Sequence, residues 1–258
     1  MNRMSSEQPG CDLLVIAPHP DDAEIGLGGT LRLLADRGRR VWVVDLTRGE
    51  LGSNATVDER WSEATAAAQV LGLAGRAQLD LPDGFIDDTD PRQAGAVADV
   101  VRRLRPRRVV TAPDAVRHPD HRITPALVER ACFLSRLVAF RPGTVDVRLW
   151  ERGGTWPEPA ERWQVEACFG VCPDNAEPTV IFDVTSTWAA KREALACYTS
   201  QFQRGDGRNA TWINDPAFME KIERRGSAWG QRAGVERAEA LWGGGAPVLL
   251  DLPDERWV

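Results

Sequence analysis

Through the first half of the chain, short apolar runs alternate with longer stretches whose apolar residues recur every three or four positions. Asp12–Ala17, Val41–Leu46, Ala77–Leu81 and Arg107–Ala112 are such runs, bounded by turn-forming or charged residues. This is the pattern of strands buried on both faces of a parallel sheet. Between them, Gly28–Gly38 carries Leu31, Leu33, Leu34 and Ala35 and stops at a glycine. Thr56 opens a second helical stretch through Ala64, Ala67, Ala68 and Leu71, closed by Gly72. Further helices are predicted over about 93–104 and 124–138. The alternation predicts an α/β fold: a Rossmann-like, doubly wound, mostly parallel sheet with helices on both faces. Beyond Arg141 the pattern is less regular, with strands expected at 145–150 and 179–184 and helices at 187–198 and 216–232.

The 258 residues suit one domain with a large core, read as residues 12–258 behind a disordered tail of residues 1–11. A net charge of −6 with 27% charged residues argues against nucleic acid as a partner. The basic run Arg102–Arg108 reads as a solvated helix end. No apolar run approaches the ~20 residues of a membrane span, and the first eleven residues lack a signal-peptide core. Five cysteines, odd in number, read as reduced thiols in a cytoplasmic protein. Cys168 and Cys172 lack the second pair that a zinc knuckle needs.

The chemistry collects where strands end. Ala17-Pro18-His19-Pro20-Asp21-Asp22-Ala23-Glu24 follows the first strand, and His118-Pro119-Asp120-His121 follows the fourth. These two segments hold all three histidines of the chain. Open α/β sheets bind ligands outside the carboxyl ends of their strands. A histidine and three acids within six positions repel one another unless a cation or a proton intervenes. Two histidines and an aspartate with one open position form a plausible hydrolytic zinc site. Helix capping accounts for one of the aspartates, not for both together with Glu24. Gly26-Leu27-Gly28-Gly29 suggests a dinucleotide loop, but Leu31 breaks G-x-G-x-x-G.

Pro18-His19-Pro20-Asp21-Asp22-Ala23-Glu24, paired with His118-Pro119-Asp120-His121, resembles the LmbE/PIG-L family of zinc-dependent N-acetylglucosaminyl deacetylases. Asp45–Gly52, Leu81–Gly84, Arg117–His121 and Tyr198–Phe202 are similar to its bacillithiol-biosynthesis branch, which removes the acetyl group from N-acetylglucosaminyl-malate. The resemblance implies an LmbE-like fold and one Zn2+ per chain, with Fe2+ another candidate, held by His19, Asp22 and His121. It implies Asp21 as general base on the attacking water, His118 as the group that stabilises the oxyanion and protonates the leaving amine, and Asp120 as the carboxylate that orients His118. It also implies a small amino-sugar substrate and a homo-oligomer, hexamers occurring in the family. Arg60 occupies the place of a substrate-contacting arginine, and Arg48, Ser53, Asn54 and Asp83 are further substrate-binding candidates. Glu24 is expected to support the site or the helix start. Where some family members have a tyrosine two positions before the second histidine motif, this chain has Val116; its only tyrosine, Tyr198, reads as a packing residue. Alternative readings are a deacetylase or amidase for another amino sugar or thiol conjugate, and a non-catalytic sugar- or metal-binding protein.

Overall fold

At the centre of the sheet lies β1 (Cys11–Ala17), paired in parallel with β2 (Val41–Thr47) on one side and β4 (Pro106–Thr111) on the other. The computed structural model describes residues 9–111, 118–143, 146–151, 156–205 and 207–244. Outside β2 lies β3 (Gly75–Leu81), also parallel, and beyond it the antiparallel β5 (Arg148–Glu151). Outside β4 lies β6 (Ala167–Val171), parallel to it. Next come β8 (Ala238–Gly243) and β7 (Val180–Asp183), each antiparallel to the strand before it. The eight strands form one sheet in the order β5-β3-β2-β1-β4-β6-β8-β7. The chain winds outward from β1 in one direction and then in the other, so the space beyond the tips of β1 and β4 is the switch point where such sheets bind ligands.

Every residue of β2 is buried, Asp45 and Thr47 included, as expected of a strand covered on both faces. Its alternate residues serve two cores. Trp42, Val44 and Leu46 pack beneath α3 (Pro91–Leu104) and α4 (Pro119–Ser135). Val41 and Val43 pack beneath α1 (Asp22–Asp36), α2 (Val57–Leu71) and α5 (Trp188–Ala196). Each fully buried aliphatic side chain contributes on the order of 1.5–3 kcal/mol. The α/β class and the mostly parallel inner sheet stand as expected. Strands β6 and β8 are additions to the elements expected from the pattern, and β1 begins at Cys11, which is buried.

Two helices start earlier than the hydrophobic pattern suggests. α1 begins at Asp22 rather than near Gly28, and α4 at Pro119 rather than Thr124. In both cases the polar motif is itself the first helical turn. Gly28 and Gly29 serve packing: a Cβ on Gly28 would stand 2.8 Å from Lys191 Cγ, and one on Gly29 2.7 Å from Val184 Cβ. Their lack of side chains lets the segment 184–191 lie directly on α1. There Thr187 Oγ1 donates to Gly29 O (2.8 Å), and Lys191 Nζ donates to Ile25 O (2.8 Å) and to Glu239 Oε1 (2.6 Å). Glu239 accepts from the Gly29 and Thr30 amides at 3.1 and 2.7 Å.

Arg102 is not a solvated helix end. It is buried and donates to the carbonyls of Ser135, the last residue of α4, and of Leu137 and Phe140 just beyond it. All five cysteines are free thiols, in keeping with the reading from sequence. Among the described residues, no helix is long and apolar enough to cross a membrane.

Candidate active site

The tip of β1 is locked to its neighbour before the motif begins. Thr47 donates to Pro18 O through both its amide and its hydroxyl, each at 3.0 Å. The chain then turns sharply at Asp21, whose φ of 104° lies where residues other than glycine are strained. Asp21 occupies the N-cap position of α1, yet its side chain makes no capping bond. It faces Arg60 instead: Nη2 lies 3.5 Å from Asp21 Oδ2 and 2.5 Å from Pro20 O. Capping therefore explains neither the residue nor its backbone strain.

The turn presents Asp22 to both histidines of the expected metal set. Asp22 Oδ2 lies 3.2 Å from His19 Nδ1 and 3.2 Å from His121 Nε2. Ligand atoms of His19, Asp22 and His121 all lie within 4.8 Å of one another. Ligands about 2.0–2.1 Å from a tetrahedral zinc are separated by about 3.4 Å, so the three are near the spacing an ion needs. On the other side of the same ring, His19 Nε2 lies 3.0 Å from Asp83 Oδ1 and 3.2 Å from Asp120 Oδ2. Backbone amides hold these carboxylates in place: Leu51 donates to Asp83, and Gly84 and Ile86 donate to Asp120. A carboxylate that accepts a hydrogen bond from Nε2–H leaves Nδ1 free to bind a metal, the usual support of a metal-binding histidine. His118, Asp83, Asp120 and His19 form a second group within 4.8 Å, which shares His19 with the first.

The charges agree with a site built around a cation. Burial opposes an imidazolium at His19, but hydrogen bonds to Asp120, Asp22 and Asp83 outweigh it and hold the ring well above its usual pKa. Burial likewise opposes charge on Asp22, yet His121 and His19 hold its carboxyl far below the usual range. Without a metal, a proton on His19 supplies the positive charge that the carboxylates demand. A divalent ion fits the same donors and the same charge. Asp21 behaves in the opposite way: burial pushes it up to about 7, against the pull of Arg60. Burial and the charge on His19 lower His118. His118 Nδ1 accepts from the Asp120 amide at 3.4 Å, which leaves Nε2 as the donor.

A cavity of about 800 Å³ opens beside these groups, lined by His19, Asp21, Asp22, Asp83, His118 and His121. Its other wall comes from the C-terminal part, through α5, β8 and the helix α7 (Pro216–Ala233), which follows the short α6 (Thr199–Phe202).

The family described as GlcNAc-PI de-N-acetylase (PIG-L) matches residues 14–132. A 1D-myo-inositol 2-acetamido-2-deoxy-alpha-D-glucopyranoside deacetylase of Rhodococcus jostii is 30% identical over 295 residues, spanning 90% of this chain and 97% of the relative. The chain belongs to the PIG-L family. A 4-oxalmesaconate hydratase of Pseudomonas putida is 29% identical over 209 residues, spanning 75% of each chain. The crystal structure of the conserved protein TT1542 from Thermus thermophilus shares the fold with a TM-score of 0.76 and 32% identity, covering 96% of this chain and 100% of that one.

The PIG-L segment holds all seven residues gathered here: His19, Asp21, Asp22, Asp83, His118, Asp120 and His121. Three expected substrate contacts lie elsewhere. Arg48, Ser53 and Asn54 do not line the cavity. Asn54 exchanges hydrogen bonds with the Asn209 backbone (3.0 and 2.7 Å), and Ser53 O accepts from Asn209 Nδ2 (2.9 Å). This draws the tip of the loop away, and Gly49, Leu51 and Gly52 of the same loop line the cavity instead. Arg60 does line it, with its guanidinium engaged by Pro20 and Asp21. Asp83 points at His19, and Asp120 lies closer to His19 than to His118, whose Nδ1 is 3.8 Å from Asp120 Oδ2. Val116 and Arg117 lie outside the described residues. Tyr198 is fully buried in the core beneath α1 and α2, as expected of a packing residue.

Sequence reasoning missed Arg76. It is fully buried on β3 and binds Asp45 bidentately (2.7 and 2.8 Å) and Glu24 Oε1 (2.5 Å). Burial opposes its charge, but Asp45 and Glu24 more than compensate and raise its pKa further. This triad ties the first turn of α1 to β2 and β3, which gives Glu24 the supporting role expected of it. An arginine close to the start of a strand-like run was the available signal.

Proposed function

We propose that this chain is a zinc-dependent hydrolase that removes the N-acetyl group from an N-acetylglucosamine conjugate. The observation that carries this reading is the convergence of His19, Asp22 and His121 on one point beside a buried carboxyl, Asp21, poised at about 7. A divalent ion held by the three ligands supplies Lewis acidity and lowers the pKa of water. Asp21 takes the proton from the attacking water, a task suited to a base that titrates near neutrality. His118, which lines the cavity with Nε2–H as its donor, holds the developing oxyanion, and the proton that Asp21 took from water passes on to the departing amine. Asp120 and Asp83 fix the tautomer of His19, and Asp120 also contacts His118, its amide donating to Nδ1 and its carboxylate 3.8 Å away.

N-acetylglucosaminyl-malate is the conjugate favoured by the strand-tip motifs, and the Rhodococcus relative is named for an inositol conjugate. Arg60, the expected substrate-contacting arginine, is already paired with Pro20 and Asp21, so the reading supported best stops at the sugar. The free thiols support a reducing, cytoplasmic setting.

The test is free-amine release from N-acetylglucosamine and its malate and inositol conjugates, on protein loaded with zinc, stripped with a chelator, and reloaded with zinc or ferrous iron. Metal-dependent release supports the reading. No release from any substrate by metal-loaded protein overturns it and directs attention to water addition, the reaction named for the Pseudomonas relative.

A further inference from the structure

We infer that the sugar's aglycone is an apolar group of aromatic size, received by an arm of the cavity between α1, α5 and α7. This rests on the deacetylase reading and narrows its substrate class. The cavity, about 800 Å³, falls in the range of roughly 300–1,000 Å³ that takes drug-sized ligands, more than one amino sugar needs. Beyond the histidines its wall includes Ile25, Trp188, Trp212, Phe218, Ile222 and Trp229. Three tryptophans contribute to it, Trp188 and Trp229 as largely buried rings and Trp212 as an open one.

Lys191, Glu239 and Arg225, which line the arm, are already engaged, and Lys221 stands over the Trp212 ring. Lys191 is held by Ile25 O and Glu239, and Glu239 by two amides of α1. Arg225 Nε pairs with Asp174 at 2.9 Å, and its Nη2 donates to Cys172 O. A polyol or a dicarboxylate entering this arm would give up water without gaining equivalent partners from these groups. An apolar group has no such cost.

Trp212 marks the mouth. It is 48% exposed, and its ring stands edge-on to Phe218 with centroids 4.6 Å apart. Lys221 Nζ lies 5.5 Å from the Trp212 ring. Leu51, 66% exposed on a separate loop, lines the same cavity. Apolar side chains left this open at a cavity entrance suit a ligand that covers them.

The experiment compares kcat/KM on metal-loaded protein for N-acetylglucosamine, its malate and inositol conjugates, and both anomers of 4-nitrophenyl N-acetylglucosaminide. A nitrophenyl glycoside should exceed each of the others by tenfold or more. Trp212→Ala should reduce that preference over the plain sugar at least fivefold, and Trp212→Phe should restore most of it. Trp212 is exposed, so the fold should survive, as circular dichroism can verify. A malate or inositol conjugate turned over faster than both nitrophenyl anomers overturns the inference, as does an unchanged preference in Trp212→Ala. Absence of turnover on every substrate overturns the deacetylase reading instead. Calorimetry then decides the arm: tenfold tighter binding of 4-nitrophenyl glucosaminide than of glucosamine supports it, and equal affinities overturn it.

Discussion

Arg60 holds Pro20 O at 2.5 Å and Asp21 Oδ2 at 3.5 Å, so one guanidinium fixes both the strained turn and the charge of the carboxyl it presents. Arg60→Ala should therefore lower kcat by a similar factor, tenfold or more, on N-acetylglucosamine and on its conjugates. Arg60→Lys should recover part of the loss. Removing the cation raises the pKa of Asp21, so the acid limb of the pH–rate profile should move to higher pH. A rise in KM confined to a carboxylate-bearing conjugate would return Arg60 to substrate recognition.

Asp21→Asn should keep its metal and lose about 10²–10⁴ in kcat, the range for removal of a general base. Metal content by mass spectrometry and turnover on one preparation separate the two effects. Undiminished turnover would remove Asp21 from the mechanism.

Metal-free protein should lose stability as pH rises from about 4 to about 7. Asp21 titrates near 3.8 in the unfolded chain and at about 7 when buried. The folded state binds the extra proton between these values. The stabilisation is full below the lower pKa and is lost as pH passes the upper one. A shift of this size corresponds to at most about 4 kcal/mol. Denaturant midpoints at several pH values, with chelator present, should show a flatter dependence in Asp21→Asn; an identical dependence would contradict the placement of Asp21.

Arg76→Met should destabilise by about 3–5 kcal/mol, because it strands two buried carboxylates. The triple replacement Glu24→Gln, Asp45→Asn, Arg76→Met should cost less than the three single losses added together, since the partners act as one unit. Urea midpoints measure both. Strict additivity would show that the three do not depend on one another.

The strand tips were legible because histidine and aspartate are out of place at the end of an apolar run, and because sheets of this type gather strand ends into one crevice. The helix starts were not, since His118-Pro119-Asp120-His121 and Asp22-Ala23-Glu24 carry ligands in their first turns and so break the apolar period. β8 was hidden by Glu239, a buried charge within a six-residue strand that serves the backbone of α1. The buried arginines Arg60, Arg76 and Arg102 look in sequence like any surface arginine; only the fold reveals the carbonyls and carboxylates around them. Asp83 illustrates the same limit, because a Pro-Asp-Gly turn is self-explanatory until its side chain is seen against His19.

Every residue of the metal cluster precedes residue 133, yet the helix that carries Asp22 is clasped by Thr187, Lys191 and Glu239. The two parts are therefore not separable modules. A chain divided between α4 and β5 would yield one fragment with all the ligands and one with the clasp, and tight metal capture should appear only on mixing them. The same dependence limits how the C-terminal part can diversify: its aromatic wall is free to vary with the substrate, while the three clasping positions answer to a helix encoded more than a hundred residues earlier.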